Sequence, residues 1–170
     1  WEGNNLGRPY KKMIDKKKSI KKVVVVIQAR MASTRLPGKV MMKIDGKPSI
    51  QHTIERAIRA KNVDEVVLAT STNKDNDALE ELCKSNGFNF YRGSEEDVLK
   101  RVIEAAKPFN PRLVVRICGD EPFLDIKILE KAIEKHDASK VDYSTTVTSV
   151  PKGLDVEVIS YETLLKADSE

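Results

Sequence analysis

Apolar residues fall into two kinds of run along this chain. Val23–Ile27 (VVVVI), Glu65–Thr70 (EVVLAT) and Leu113–Ile117 (LVVRI) are short, rich in β-branched residues and nearly uninterrupted, the pattern of strands buried on both faces. Phe88–Tyr91 reads as a further short strand between the second and third of these. In the intervening segments apolar residues recur every three or four positions, as in amphipathic helices. Ile50, Ile54, Ala57 and Ile58 share one face of a helix expected over about Ser49–Ala60. Further helices are expected up to about Ser85, over Val98–Lys107 and over Ile126–Lys135. A weaker strand near Asp142–Val147, an alternating one at Asp155–Ser160 and a helical end from Tyr161 complete the pattern.

Polar punctuation supports these boundaries. Val40–Ile44 is short and apolar and runs into the turn Asp45-Gly46-Lys47-Pro48. Asp75 or Asn76 is placed to cap the second helix, Ser94 and Asp97 the third, and Asp125 the fourth, while Asn86-Gly87 supplies a helix stop. Strands alternating with helices predict an α/β fold: a doubly wound, mostly parallel sheet with helices on both faces and right-handed crossovers, Rossmann-like in architecture. In such sheets ligands bind beyond the carboxyl ends of the strands, here the loops after the first, second and fourth.

Composition narrows the class. The 170 residues are 40% hydrophobic and 33% charged, enough for one domain with a real core, and no apolar run approaches the ~18 residues of a membrane span. The chain reads as soluble and cytoplasmic. Cys83 and Cys118 are expected to be buried small hydrophobes, with no disulfide framework or thiolate metal site. The net charge of +4 is unevenly placed, since residues 1–22 carry +6 and the remainder −2. The first 22 residues therefore read as a basic tail or linker, with RNA or another anionic surface as the alternative partner, and residues 23–170 as the domain. A chain that begins at Trp1 is expected to derive from a longer product.

Two loops carry the candidate chemistry. After the first strand comes QARMASTRLPGK, Gln28–Lys39, with Arg30, Arg35 and Lys39 among small and turn-forming residues. Backbone N–H groups of such a loop can approach phosphate while the cations neutralise it. It is not the Walker pattern, and a solvated basic loop is the plainer alternative. After the fourth strand comes Cys118-Gly119-Asp120-Glu121-Pro122, which delivers two carboxylates to the same sheet edge, although acids before a proline are often merely solvated. Carboxylate beside a phosphate loop suits Mg²⁺, which binds through one or two carboxylates plus substrate phosphates. Together the loops describe nucleotidyl transfer. His52 and His136, the latter expected on a surface helix, have no Ser or Cys partner in a triad arrangement, and no GxGxxG follows the first strand.

The motifs VVVVIQARMASTRLPGKVMMKIDGKPSIQHTIERA, EVVLATS, FYRGSEEDVLKR, VVRICGDEPFLD and GLDVEV, in this order from Lys22 to about Ala167, resemble the cytidylyltransferases that activate acidic sugars. The likeness is greatest to the spore-coat polysaccharide biosynthesis protein F group and extends to 3-deoxy-manno-octulosonate cytidylyltransferase. The resemblance implies a nucleotide-diphospho-sugar transferase fold and a Mg²⁺-dependent reaction of CTP with an acidic sugar, giving a CMP-sugar and pyrophosphate for surface polysaccharide synthesis. It implies that Arg30, Ser33, Arg35 and Lys39 hold the triphosphate, with Gln28 and Ala29 near the base and Arg101 as a further nucleotide contact. By the same resemblance, Arg30 and Lys39 stabilise the transferring phosphate, Asp120 binds the metal, and Asp155 and Glu157 lie where the acceptor pocket forms. Relatives continue to a second metal-binding Asp in a DTPED-like segment that does not occur by Glu170, so a shortened domain is expected. A nucleotide-binding module without chemistry is the rival reading, and a homodimer an open expectation.

Overall fold

The computed structural model describes residues 22–33 and 35–170. The basic tail, apart from Lys22, lies outside the described residues. Lys22 itself opens the first strand, β1 (Lys22–Gln28), and its ammonium bonds Glu65 at 2.7 Å. The remaining elements are β2 (Lys43–Ile44), β3 (Lys47–Pro48), α1 (Ser49–Ile58), β4 (Glu65–Ser71), α2 (Asp77–Asn86), β5 (Asn89–Gly93), α3 (Val98–Ala106), β6 (Pro111–Cys118), α4 (Ile126–Ser139), β7 (Tyr143–Thr145), β8 (Glu157–Ser160) and α5 (Tyr161–Asp168).

The main sheet has the order β5-β4-β1-β6-β8-β7. The pairs β5/β4, β4/β1 and β1/β6 are parallel, whereas β8 runs antiparallel to both β6 and β7. β1 lies near the centre, with Val24 to Ile27 fully buried. Strand alternation sends Val23, Val25 and Ile27 to one face, where Ile50, Ile54, Leu79, Leu129 and Ile133 from α1, α2 and α4 cover them. Val24 and Val26 face Val102, Ala105 and Ala106 of α3 and Leu164 of α5 on the other side. The doubly wound arrangement is thus the one that the continuous β-branched runs require.

Local signals are largely realised. The Asp97 carboxylate accepts from the N–H of Lys100, Ser94 Oγ accepts from the N–H of Asp97, and Asp125 accepts from the N–H groups of Lys127 and Ile128. Gly87 ends α2 at φ 70°. Two expectations need correction, for His136 and Cys118, and one unassigned stretch takes shape. The apolar stretch Val40–Ile44 is a 3-10 turn followed by β2, which forms a two-residue hairpin with β3 because Asp45 and Gly46 take positive φ between them. His136 is only 3% exposed, with Nδ1 2.8 Å from Ser144 Oγ, because α4 turns it towards β7 and does not leave it at the surface. Cys118 is exposed, since it ends β6 just where the strand emerges from its helical cover, whereas Cys83 is buried as expected.

Candidate functional site

The parallel strands β1, β4 and β6 end at one edge of the sheet, and their loops form the site. Two backbone bonds fix the start of the basic loop: the Ala29 N–H donates to the Ala69 carbonyl at 3.2 Å, and the Gly119 N–H to the Gln28 carbonyl at 2.8 Å. The loop then folds back, with the Gly38 N–H reaching the Met31 carbonyl at 2.9 Å and Gly38 at φ 71°, a left-handed conformation that glycine adopts without Cβ strain. Gly119 is demanded by space. A Cβ there would lie 2.7 Å from Ala29 Cβ and 2.8 Å from both the Gln28 carbonyl oxygen and Ile50 Cδ1.

Asn76, placed by the sequence reading at a helix cap, does something else. It is 1% exposed; its Oδ1 accepts the Met31 N–H at 2.8 Å and its Nδ2 donates to Ser71 Oγ at 2.7 Å. It ties the basic loop to the end of β4, and its side chain makes no cap to α2. One Asn in a polar stretch carries no signal of such a tertiary tether.

The loop's cations meet carboxylates. Lys39 Nζ is ion-paired with Asp120. This pairing, helped by Arg35, holds the Asp120 carboxyl below its usual range, so the group is ionised and, at 43% side-chain exposure, open to solvent. Arg30 Nη1 bonds Glu95 Oε1 at 3.0 Å on the loop after β5, and the Ser71 hydroxyl together with Arg30 lowers the Glu95 pKa. Ser33 Oγ is 3.4 Å from the Leu36 N–H. Arg101 is 7% exposed, and its Nη1 donates to the carbonyls of Ser94 and Glu95, bracing the loop that carries Glu95.

On the acidic side, Glu121 is 7% exposed and is not a solvated turn residue. Burial, then the neighbouring charges of Asp155, Asp120 and Glu157, push its pKa up to about 7. Glu121 Oε2 and Asp155 Oδ1 are buried without hydrogen-bond partners. Glu157 is fully engaged: Oε2 accepts from Arg116 Nε, and Oε1 from the Tyr143 hydroxyl at 2.9 Å. The structure therefore brings Gln28, Ala29, Arg30, Ser33, Arg35, Lys39 and Asp120 around the ends of β1 and β6. It places Asp155 and Glu157 beside them on the β8 side.

Among the described residues no helix is long and apolar enough to cross a membrane, and no cluster of three or more His, Cys, Asp or Glu side chains is arranged to hold a metal ion.

The family model described as "Cytidylyltransferase" matches residues 24–169. The spore coat polysaccharide biosynthesis protein SpsF of Bacillus subtilis is 36% identical over 147 residues, covering 84% of this chain and 61% of that protein. The 3-deoxy-manno-octulosonate cytidylyltransferase of Geobacter sulfurreducens is 36% identical over 113 residues, covering 65% of this chain and 44% of the relative. A solved cytidylyltransferase structure from Leptospira borgpetersenii superposes with a TM-score of 0.81 at 34% identity, covering 88% of this chain and 65% of that one. The chain thus spans only part of the length of each of these three proteins.

Proposed function

Because the chain belongs to the cytidylyltransferase family, we propose that it moves CMP from CTP to a hydroxyl of an acidic sugar, with release of pyrophosphate, in surface polysaccharide synthesis. The observation that carries this reading is the meeting of Lys39 and Asp120: a phosphate-binding cation and an ionised, solvent-open carboxylate share one point at the carboxyl edge of a parallel sheet.

Arg30, Ser33, Arg35 and Lys39 bind the triphosphate, and the backbone of Gln28 and Ala29, fixed by β4 and Gly119, lies against the base. Arg101 acts on the nucleotide through the Ser94–Glu95 loop that it braces. Asp155 and Glu157 border the acceptor. The acceptor hydroxyl oxygen bonds to the α-phosphorus, the bond from that phosphorus to the bridging oxygen breaks, pyrophosphate departs with that electron pair, and the hydroxyl proton passes to water. Lys39 and Arg30 neutralise the charge that develops on the departing oxygens, so positioning and fixed electrostatics supply the acceleration, with no covalent intermediate.

Asp120 fits a Mg²⁺ ligand, since it is the exposed, ionised carboxylate at the mouth and a single protein carboxylate plus nucleotide phosphates is an ordinary Mg²⁺ environment. Bound there, Mg²⁺ would supply charge neutralisation to the triphosphate.

Calorimetric titration with CTP, and with UTP, GTP and ATP as comparators, each with and without Mg²⁺, tests the reading. Mg²⁺-dependent preference for CTP is expected. Absence of nucleotide binding by folded protein would overturn it, and CTP binding without pyrophosphate release across acidic sugars would mark a nucleotide-binding module.

A further inference from the structure

A cleft of about 320 Å³ opens on the α3/α5 face of the sheet, beside the site and sharing Gln28 with it. Its polar end is made by Gln28, Arg116, Tyr143 and Glu157, and its apolar wall includes Leu99 and Val102 of α3. Strand register assembles the polar end: Arg116 on β6 lies opposite Glu157 on β8, and Gln28 on β1 is level with Cys118, two residues further along β6.

Two observations mark this cleft as built for a ligand. Arg116 spends only Nε on Glu157, whose other oxygen is held by the Tyr143 hydroxyl, so Nη1 and Nη2 have no protein partner among the described residues. The guanidinium is thus locked in orientation with its two-nitrogen edge free. Gln28 Nε2 is buried and without a hydrogen-bond partner, a donor that an acceptor group entering the cleft would satisfy.

Resting on the reading above, we propose that this cleft is the acceptor subsite and that Arg116 receives the acceptor's carboxylate through Nη1 and Nη2, with Gln28 Nε2 donating to a neighbouring oxygen. A planar carboxylate matches the two parallel N–H bonds of that edge. The Glu157 pairing and the nearby Asp155 and Asp120 disfavour a phosphate dianion more than a singly charged carboxylate, and a neutral sugar would leave the edge without a charged partner. Glu157 is then a positioning residue that fixes the arginine, and Gln28, at the boundary of both sites, sets the acceptor against the nucleotide. At about 320 Å³ the cleft is of the size that holds one small molecule.

The test uses the full protein with CTP and Mg²⁺, and as acceptors 3-deoxy-manno-octulosonate, its C1 amide, N-acetylneuraminate, glucuronate and glucose 6-phosphate. Pyrophosphate release is measured for the wild type, Arg116→Met, Arg116→Lys and Glu157→Gln, with CTP affinity and thermal midpoint measured alongside. The wild type is expected to prefer an acid over the amide, in kcat/KM, by roughly 100-fold, the scale on which loss of a hydrogen bond to a charged group is felt. Arg116→Met should lower kcat/KM for the acid by about that factor and erase the acid preference with CTP affinity unchanged, whereas Arg116→Lys should keep part of it. Glu157→Gln should raise KM for the acid with less effect on kcat. An unaltered acid preference in Arg116→Met, preference for the amide or the sugar phosphate, or CTP binding with no acid turned over would each overturn the subsite. Failure to bind CTP would instead defeat the nucleotidyl-transfer reading. If Arg116→Met does not fold, Arg116→Lys and the acid-to-amide ratio of the wild type decide.

Discussion

Lys39 and Asp120, 81 residues apart in the chain, are ion-paired across the mouth of the site. The two residues proposed to hold phosphate and metal therefore pair with each other. A metal–nucleotide complex would exchange this contact for two, phosphate for the lysine and Mg²⁺ for the aspartate.

Lys39→Ala should consequently abolish catalysis without harming the fold. A pair this exposed contributes about 0–1 kcal/mol to stability, whereas loss of a cation aimed at developing phosphate charge costs on the order of 10²–10³ in kcat. Pyrophosphate release and a thermal melt on the same sample check this; near-normal turnover would remove Lys39 from the mechanism.

Asn76→Ala removes both ends of the tether between β4 and the basic loop. The Met31 N–H loses its acceptor and Ser71 Oγ its donor, which should destabilise the protein by about 2 kcal/mol. CTP affinity should fall more than kcat, because the loop is loosened while Lys39 stays. Urea unfolding and nucleotide titration separate the effects; a stability loss with unaltered affinity would confine Asn76 to a structural role.

Gly119→Ala places a methyl group within 2.8 Å of the Gln28 carbonyl and of Ile50 Cδ1. Overpacking of this kind costs about 1–3 kcal/mol and pushes β1 and β6 apart at the site. Since Asp120 follows directly, the expected outcome is a lowered melting temperature together with weakened Mg²⁺-dependent CTP binding, measured by calorimetry.

His136 should give stability a pH dependence unrelated to catalysis. Burial depresses its pKa below the ordinary value of 6.5. Between those two values the unfolded chain binds a proton that the folded one does not, so stability rises with pH across the window. His136 thus favours the fold fully above about pH 6.5, and this is lost as pH falls through the folded value. Chemical denaturation from pH 7.5 down to pH 5 should show the decline, and His136→Gln should flatten that part of the profile; an unchanged slope would refute it.

What could be read in advance divides along physical lines. β1, β4 and β6 announce themselves because a strand covered on both faces must be continuously apolar, and the caps at Asp97 and Asp125 depend only on residues within a turn. Lys39 and Asp120 were legible as residue types at strand ends, but their pairing was not, since it depends on where the sheet sets two distant loops. The burial of Glu121 escaped because an acid before proline looks solvated until Asp155 and the β8 region close over it. Asn76 and Arg116 escaped for the same reason: one holds a distant backbone N–H, and the other's surroundings depend on β8 lying beside β6, a neighbour that composition does not specify.

That antiparallel pairing has a broader consequence. The residues proposed to grip the nucleotide hang from strands joined in parallel, whereas Glu157 comes from β8, which runs against them, and Tyr143 from β7 on its far side, with Arg116 on the boundary strand. The sheet therefore has a seam at β6/β8, and substitutions in β7 and β8 should alter the proposed sugar subsite while sparing the proposed nucleotide loops on the parallel side.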